Sequence, residues 1–268
     1  MLYGRVAPDL SREQIVFLHI RKTAGTALAA SLAEGLGARP PVVTAWPTVH
    51  AQERGLLALH GPLRRAAVNA GEGARALALR LTGREAPSVA NQPFIAGHWR
   101  LDAVPPGPRP RHYVTLLRDP LDRLLSDHAF MRGKRDRARG DALDPSLYDL
   151  DLEAFAEAVA ARPELYQHDY QCRQLAGAPD AAAAIEAADR HLWLAAPVSR
   201  LPEFLELAGR GLGVRFAPPP VIRPSRGRAR AEALAPRLRA RLAALNPGDA
   251  ALFAQVSADF DRLLTESG

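Results

Sequence analysis

Short apolar, β-branched runs alternating with helix-favouring stretches predict an α/β fold, with a central parallel sheet flanked by helices on both faces. Strand-like runs recur at residues 15–20 (IVFLHI), 94–98 (FIAGH), 113–117 (YVTLL) and 191–198 (HLWLAAPV), and stretches rich in Ala, Leu and Glu lie between most of them. The 268 residues are 47% hydrophobic and 24% charged, enough to bury a core without staples. That balance excludes a wholly disordered, collagen-like or membrane-spanning chain. With no internal repeat, no heptad run and no clear boundary, one domain over 1–268 is expected.

Taken in order, the run at 15–20 reads as a buried strand. It feeds a small polar turn at 21–26, and residues 27–36 (ALAASLAEGL) favour a helix. Residues 41–46 suit another strand, and 54–82 helical pieces broken at Gly61-Pro62 and Gly71. The strand at 94–98 ends in a histidine. A stiff PPGPRP loop at 105–110 precedes the strand at 113–117. Asp119 is a good N-cap and Pro120 suits a first helical turn, so a helix runs from there to about 131. Residues 132–146 read as a charged loop. Helices follow at 151–162, 164–176 and 180–189, then the strand at 191–198 and a helix at 201–213. Residues 217–227 form a Pro- and Arg-rich loop. Two last helices span 229–245 and 247–264, broken at Asn246-Pro247.

The basic residues outnumber the acidic by 35 to 29, a net charge of +6. This suits an anionic partner without choosing among nucleotides, acidic polymers and membranes. Only Lys22 and Lys134 are lysines; such Arg and Ala richness also follows from genome composition. The one cysteine, Cys172, allows no intrachain disulfide, which favours a reducing compartment and a packing role for the thiol. The N-terminal MLYGRVAPDLSREQ lacks a long apolar run, so no secretory leader is expected, and no stretch approaches a transmembrane helix. A soluble, cytoplasmic protein is the expectation.

The segment 19–28, HIRKTAGTAL, is the most informative. A buried strand that enters a tight turn and opens a helix aims backbone N–H groups and the helix dipole at one point. Gly25 permits close approach of an anion, Thr23 and Thr26 offer hydroxyls, and Lys22 adds a full charge. It is not a Walker A motif, because Lys22 precedes Gly25 instead of following a glycine. Without a ligand the same segment is an ordinary strand–turn–helix corner.

A second strand–turn–helix lies at 113–126, YVTLLRDPLDRLLS. Arg118 ends the strand and offers a planar fork of donors suited to phosphate. Ser126, about two helical turns on, adds a hydroxyl. Arg123 fits a salt-bridging helix position as well as a site. Between the two segments, NQPFIAGHW (91–99) puts His98 just past a strand. The carboxyl ends of parallel strands face the ligand crevice, where an imidazole accepts protons near neutral pH. A lone histidine is also compatible with a structural role, the one that suits His19.

These segments resemble the carbohydrate sulfotransferases that use 3′-phosphoadenosine 5′-phosphosulfate (PAPS), in particular those related to the heparan sulfate and uronyl 2-O enzymes. HIRKTAGTAL is similar to their 5′-phosphosulfate loop, H-I-P-K-T-A-G-T-S-L, departing at Arg21 and Ala27. LRDPLDRLLS is similar to their 3′-phosphate motif, L-R-D-P-x-x-R-x-x-S. The resemblance runs from about residue 14 to 264. It implies a three-layer sheet related to P-loop NTPases and transfer of a sulfuryl group from PAPS to a carbohydrate or glycoconjugate hydroxyl, leaving PAP, without a metal.

Carried onto this sequence, Arg21, Lys22, Thr23, Ala24, Gly25, Thr26 and Ala27 line the 5′-phosphate, with Ala27 offering only its backbone. Arg118 and Ser126 grip the 3′-phosphate. His98 is the base and Lys22 stabilises the leaving group. Some relatives have a second histidine two positions before the base; here that residue is Ala96. Val221-Ile222-Arg223-Pro224-Ser225 resembles a segment closing over the nucleotide, which adds Arg223 and Ser225, although a solvated arginine-rich loop fits equally. Gln171-Cys172-Arg173-Gln174-Leu175 resembles the family's central helix, where Arg173 could face the acceptor, although a mix of core packing and surface charge fits the segment better. The run 132–139 is basic and suits either an anionic acceptor or solvent. No His, Cys, Asp and Glu cluster has metal-ligand spacing. Two other classes stay open: a kinase using ATP, and a basic nucleic-acid binder, for which no binding module is visible.

Overall fold

The computed structural model describes residues 7–37, 92–104, 107–132, 144–218 and 228–267. Four strands, β1 (Gln14–Leu18), β2 (Phe94–Gly97), β3 (Arg111–Leu117) and β4 (Leu192–Pro197), form one parallel sheet in the order β2-β1-β3-β4. In register, Val16 of β1 lies beside Ile95 of β2 and Tyr113 of β3. The strand expected at 41–46, the helical pieces at 54–82 and most of the 132–146 loop lie outside the described residues.

Every residue of β1 is buried, because the strand is covered on both faces. Alternate side chains go to opposite sides. Val16 and Leu18 join Ile95, Leu117 and Ala195 under α2 (Pro120–Arg132), α3 (Leu152–Ala160), α4 (Tyr170–Ala176) and α5 (Ala181–His191). Ile15 and Phe17 join Phe94, Val114 and Leu194 under α1 (Gly25–Gly35) and α6 (Leu201–Leu212). The long α8 (Pro247–Ser267) serves both sides, with Leu252 and Val256 in the first cluster and Phe260 in the second. Each such side chain contributes roughly 1.5–3 kcal/mol when fully buried, so two-sided burial dominates the sheet's stability.

Two expected helices are shorter than the composition suggests. The one expected at 164–176 begins at Tyr170, since Asp169 takes a left-handed backbone with φ 43. The Asp169 N–H donates to Asn246 Oδ1 at 2.8 Å, and its own carboxylate accepts from the Asp249 N–H at 2.7 Å. Asp249 in turn accepts from the N–H groups of Gln171 and Cys172, so α4 and α8 cap one another. The helix expected at 229–245 divides into a 3-10 turn (Ala231–Ala233) and α7 (Pro236–Ala243). Proline disfavours the helical backbone before it, and Ala235 leaves the helical region with ψ 137. At α2 the expected start holds: the Asp122 N–H donates to Asp119 Oδ1 at 2.9 Å, with Pro120 as the first helical residue.

Parallel strands deliver their following loops to one edge of the sheet. Because β1 lies between β2 and β3, the turn after β1 is flanked by His98 on one side and Arg118 on the other. Among the described residues, no helix is long and apolar enough to cross a membrane.

Candidate functional site

Between β1 and α1 the chain turns tightly, with positive φ at two non-glycine residues, Lys22 (φ 66) and Ala24 (φ 57). Each left-handed residue with a Cβ costs on the order of 1 kcal/mol, strain of the kind that collects at functional sites. Ala24 is the N-cap of α1, and no side chain caps that helix, which leaves its N-terminal end to the backbone and the dipole. Thr26 and Ala27 lie in the first turn of α1.

Arg118 joins the second motif to this turn. Its Nη1 donates to the Lys22 carbonyl at 3.0 Å. Its own backbone is clamped by Gln171 of α4: the Arg118 N–H donates to Gln171 Oε1, and Gln171 Nε2 donates to the Arg118 carbonyl, each at 2.9 Å. Asp122, four residues on, faces Arg118 Nη2 at 3.4 Å and accepts from Arg228 Nη2 at 2.5 Å. Two guanidinium groups thus share the Asp122 carboxylate in a half-buried place, with Asp119 also near Arg118. Burial lowers the pKa of Arg118 first, and the neighbouring Arg228 charge lowers it further, a surrounding that favours an added anion. Asp122, Ser126 and Phe130 follow at four-residue spacing and so share a face of α2. Ser126 is buried on that face. The Lys22 ammonium sits over the Phe130 ring, 4.2 Å from its centroid.

On the other flank, His98 Nδ1 lies 2.6 Å from the His19 carbonyl. A carbonyl only accepts, so Nδ1 carries the proton, and in the neutral ring Nε2 holds the lone pair. The two imidazoles stack with centroids 4.1 Å apart. His19 is held well below the ordinary value of 6.5, at about 4, by burial and then by the Arg21 charge.

Several expected ligands turn elsewhere. Arg21 is buried, with its guanidinium 5.1 Å from the Tyr166 ring centroid and 3.7 Å from Asp127, which also accepts from the Tyr166 hydroxyl. A long cationic side chain on a buried turn finds a counter-charge in the core, and the Arg21 guanidinium is drawn toward Asp127 and the Tyr166 ring. The Thr23 hydroxyl donates to the Ile20 carbonyl at 2.8 Å and tightens the turn from inside. A Cβ on Gly25 would lie 1.9 Å from His19 Cδ2, so the glycine makes room for that ring. Arg173 donates to the carbonyls of His168 and Pro163, bracing the bend before α4. Arg123 is fully buried and donates to the Gln167 carbonyl at 2.9 Å. Burial and then the charges of Asp249 and Asp169 push the Cys172 thiol far up, which suits packing and not reactivity. Arg223 and Ser225 lie outside the described residues.

Sequence reasoning missed Asp122, Gln171 and Arg228 as parts of the site. The four-residue step from Arg118 to Asp122 was the available signal for the first. Gln171 and Arg228 reach the site only through tertiary contacts. Among the described residues, no group of three or more His, Cys, Asp or Glu side chains is placed to hold a metal ion. No protein-family model matches the chain, and no curated protein matches it.

Proposed function

We propose that this protein is a sulfotransferase that moves the sulfuryl group of PAPS to a hydroxyl of a carbohydrate or glycoconjugate, giving PAP. The observation that carries this is the Arg118–Lys22 contact, which draws the two phosphate-like motifs together beside His98. The arrangement β2-β1-β3-β4, with the anion turn after the inner strand β1, supports the reading of a three-layer sheet related to P-loop NTPases. The residues present fit a bisphosphorylated nucleotide. One end meets the strained turn, the uncapped α1 N-terminus and Lys22, and the other meets the Arg118–Arg228 pair.

PAPS would supply an activated sulfuryl group, whose bond to the 5′-phosphate oxygen breaks as the acceptor oxygen attacks sulfur in line. His98 takes the acceptor hydroxyl's proton at Nε2, the nitrogen that the His19 carbonyl leaves with the lone pair. Lys22 counters the negative charge that develops on the bridging oxygen. The backbone of residues 23–27 orients the 5′-phosphate, and Arg118 with Ser126 selects the 3′-phosphate. Arg228 joins them because Asp122 holds it beside Arg118. In this scheme Arg21 supports the turn from below.

The experiment is transfer from radiolabelled PAPS to a panel of oligosaccharides and glycosides. The wild type should label at least one acceptor. His98→Ala should lose about 10²–10⁴ in turnover while PAP affinity is kept. Near-normal turnover in that variant would end its role as base.

A further inference from the structure

Resting on that sulfuryl-transfer reading, we propose that His19 is the positioning residue for His98, its carbonyl holding the proton on Nδ1 and its ring fixing the plane of the imidazole.

The geometry begins where the β1–β2 ladder ends. The His19 N–H donates to the Gly97 carbonyl at 2.8 Å, continuing the parallel pattern one step past β1. The His19 carbonyl then meets the His98 side chain at 2.6 Å. One residue therefore anchors the turn to β2 through its N–H and sets the tautomer of the base through its carbonyl. Rotation of the His98 ring about its last bond would break that hydrogen bond and move the lone pair.

The His19 ring opposes such rotation. It stacks on His98 at 4.1 Å and 29° and on Phe17 at 5.3 Å and 14°. Gly25 closes a further side, since an added Cβ there would fall 2.1 Å from His19 Nε2. Phe17, His19 and His98 thus form a row of rings from the core of β1 to the loop after β2, with a glycine of α1 as the floor. Partial burial and the Arg21 charge hold the His19 pKa at about 4, so at neutral pH the row places no second cation against the base.

The test reads the His98 tautomer by 15N-resolved NMR of the imidazoles in the wild type, His19→Ala and His19→Phe, beside kcat and PAP affinity. The wild type should show His98 as the Nδ1–H form. His19→Ala should show a mixture of tautomers, with kcat down about tenfold to a hundredfold and PAP affinity within about twofold. His19→Phe keeps a stacked ring and should restore the single tautomer and most of the lost rate. An Nε2–H form in the wild type would overturn the proposal even if His19→Ala does not fold. So would a folded His19→Ala with an unchanged tautomer and rate, or one that loses PAP affinity and rate together. A wild type with no transfer from PAPS would instead overturn the functional reading, and the tautomer comparison would still decide whether His19 orients His98.

Discussion

Arg118 Nη1 donates to the backbone carbonyl of Lys22 at 3.0 Å, so the residue that closes β3 grips the one that turns the chain after β1. Neither half of the pair has the surroundings of a simple surface charge. Lys22 is held in a left-handed backbone with its ammonium on the Phe130 ring, and Arg118 is braced by Gln171 and Asp122. The fold holds two cationic groups from distant segments beside one turn, and this juxtaposition generates most of the predictions below.

Arg118→Ala should weaken PAP binding about tenfold to a hundredfold, the usual worth of hydrogen bonds to a charged group. Binding of adenosine 5′-monophosphate should fall much less. Arg118→Lys should recover little, because a point charge replaces a planar fork. Calorimetric titration of both nucleotides checks this, and equal losses for the two would remove Arg118 from the 3′-phosphate.

Lys22→Ala should lower kcat by about 10²–10³, the range for losing a preorganised charge at a developing anion. PAP affinity should change less than the rate, because the backbone of the turn remains. Single-turnover kinetics with PAPS separates the two effects. A loss confined to affinity would make Lys22 a binding group alone.

Arg21→Ala should leave Asp127 buried without its cation and cost about 3–5 kcal/mol of stability. PAP affinity of the folded fraction should stay within about threefold. Thermal unfolding beside PAP titration checks the split. A selective loss of PAP affinity at unchanged stability would return Arg21 to the ligand.

The pH dependence of stability follows from His19. Its folded value is about 4 against an ordinary 6.5, so below 6.5 the unfolded chain binds a proton that the folded chain refuses. Stability is therefore unaffected above that point and falls as pH drops from 6.5 to 4, by on the order of 3 kcal/mol when complete. His128, also lowered chiefly by burial, acts in the same sense. Urea denaturation at pH 7.5 and pH 5 should show a larger loss for the wild type than for His19→Phe. Equal losses would contradict the buried neutral state.

Much of this arrangement is legible in residue order. The buried run of β1, the Asp119-Pro120 start of α2 and the placement of His98 past a strand each follow from local pattern. Local pattern could not reveal where long side chains go. Arg21 and Arg118 both follow strands with a cationic fork, yet one faces Asp127 in the core and the other the turn of β1. That choice depends on which carboxylates and rings the packed helices bring near. Gly25 is a similar case: its spacing suits an anion, while its lack of a Cβ serves the His19 ring. The lost first turns of α4 and the break before α7 trace to Asp169 and Pro236. Only the second of these breaks is visible as a residue type.

The central claim is a site for a 3′,5′-bisphosphorylated adenine nucleotide, and titration with PAP beside ATP, each with and without Mg²⁺, tests it most directly. The account predicts tight PAP binding that ignores the metal, with ATP much weaker. A preference for Mg-ATP, or no binding of either nucleotide by the folded protein, would contradict it.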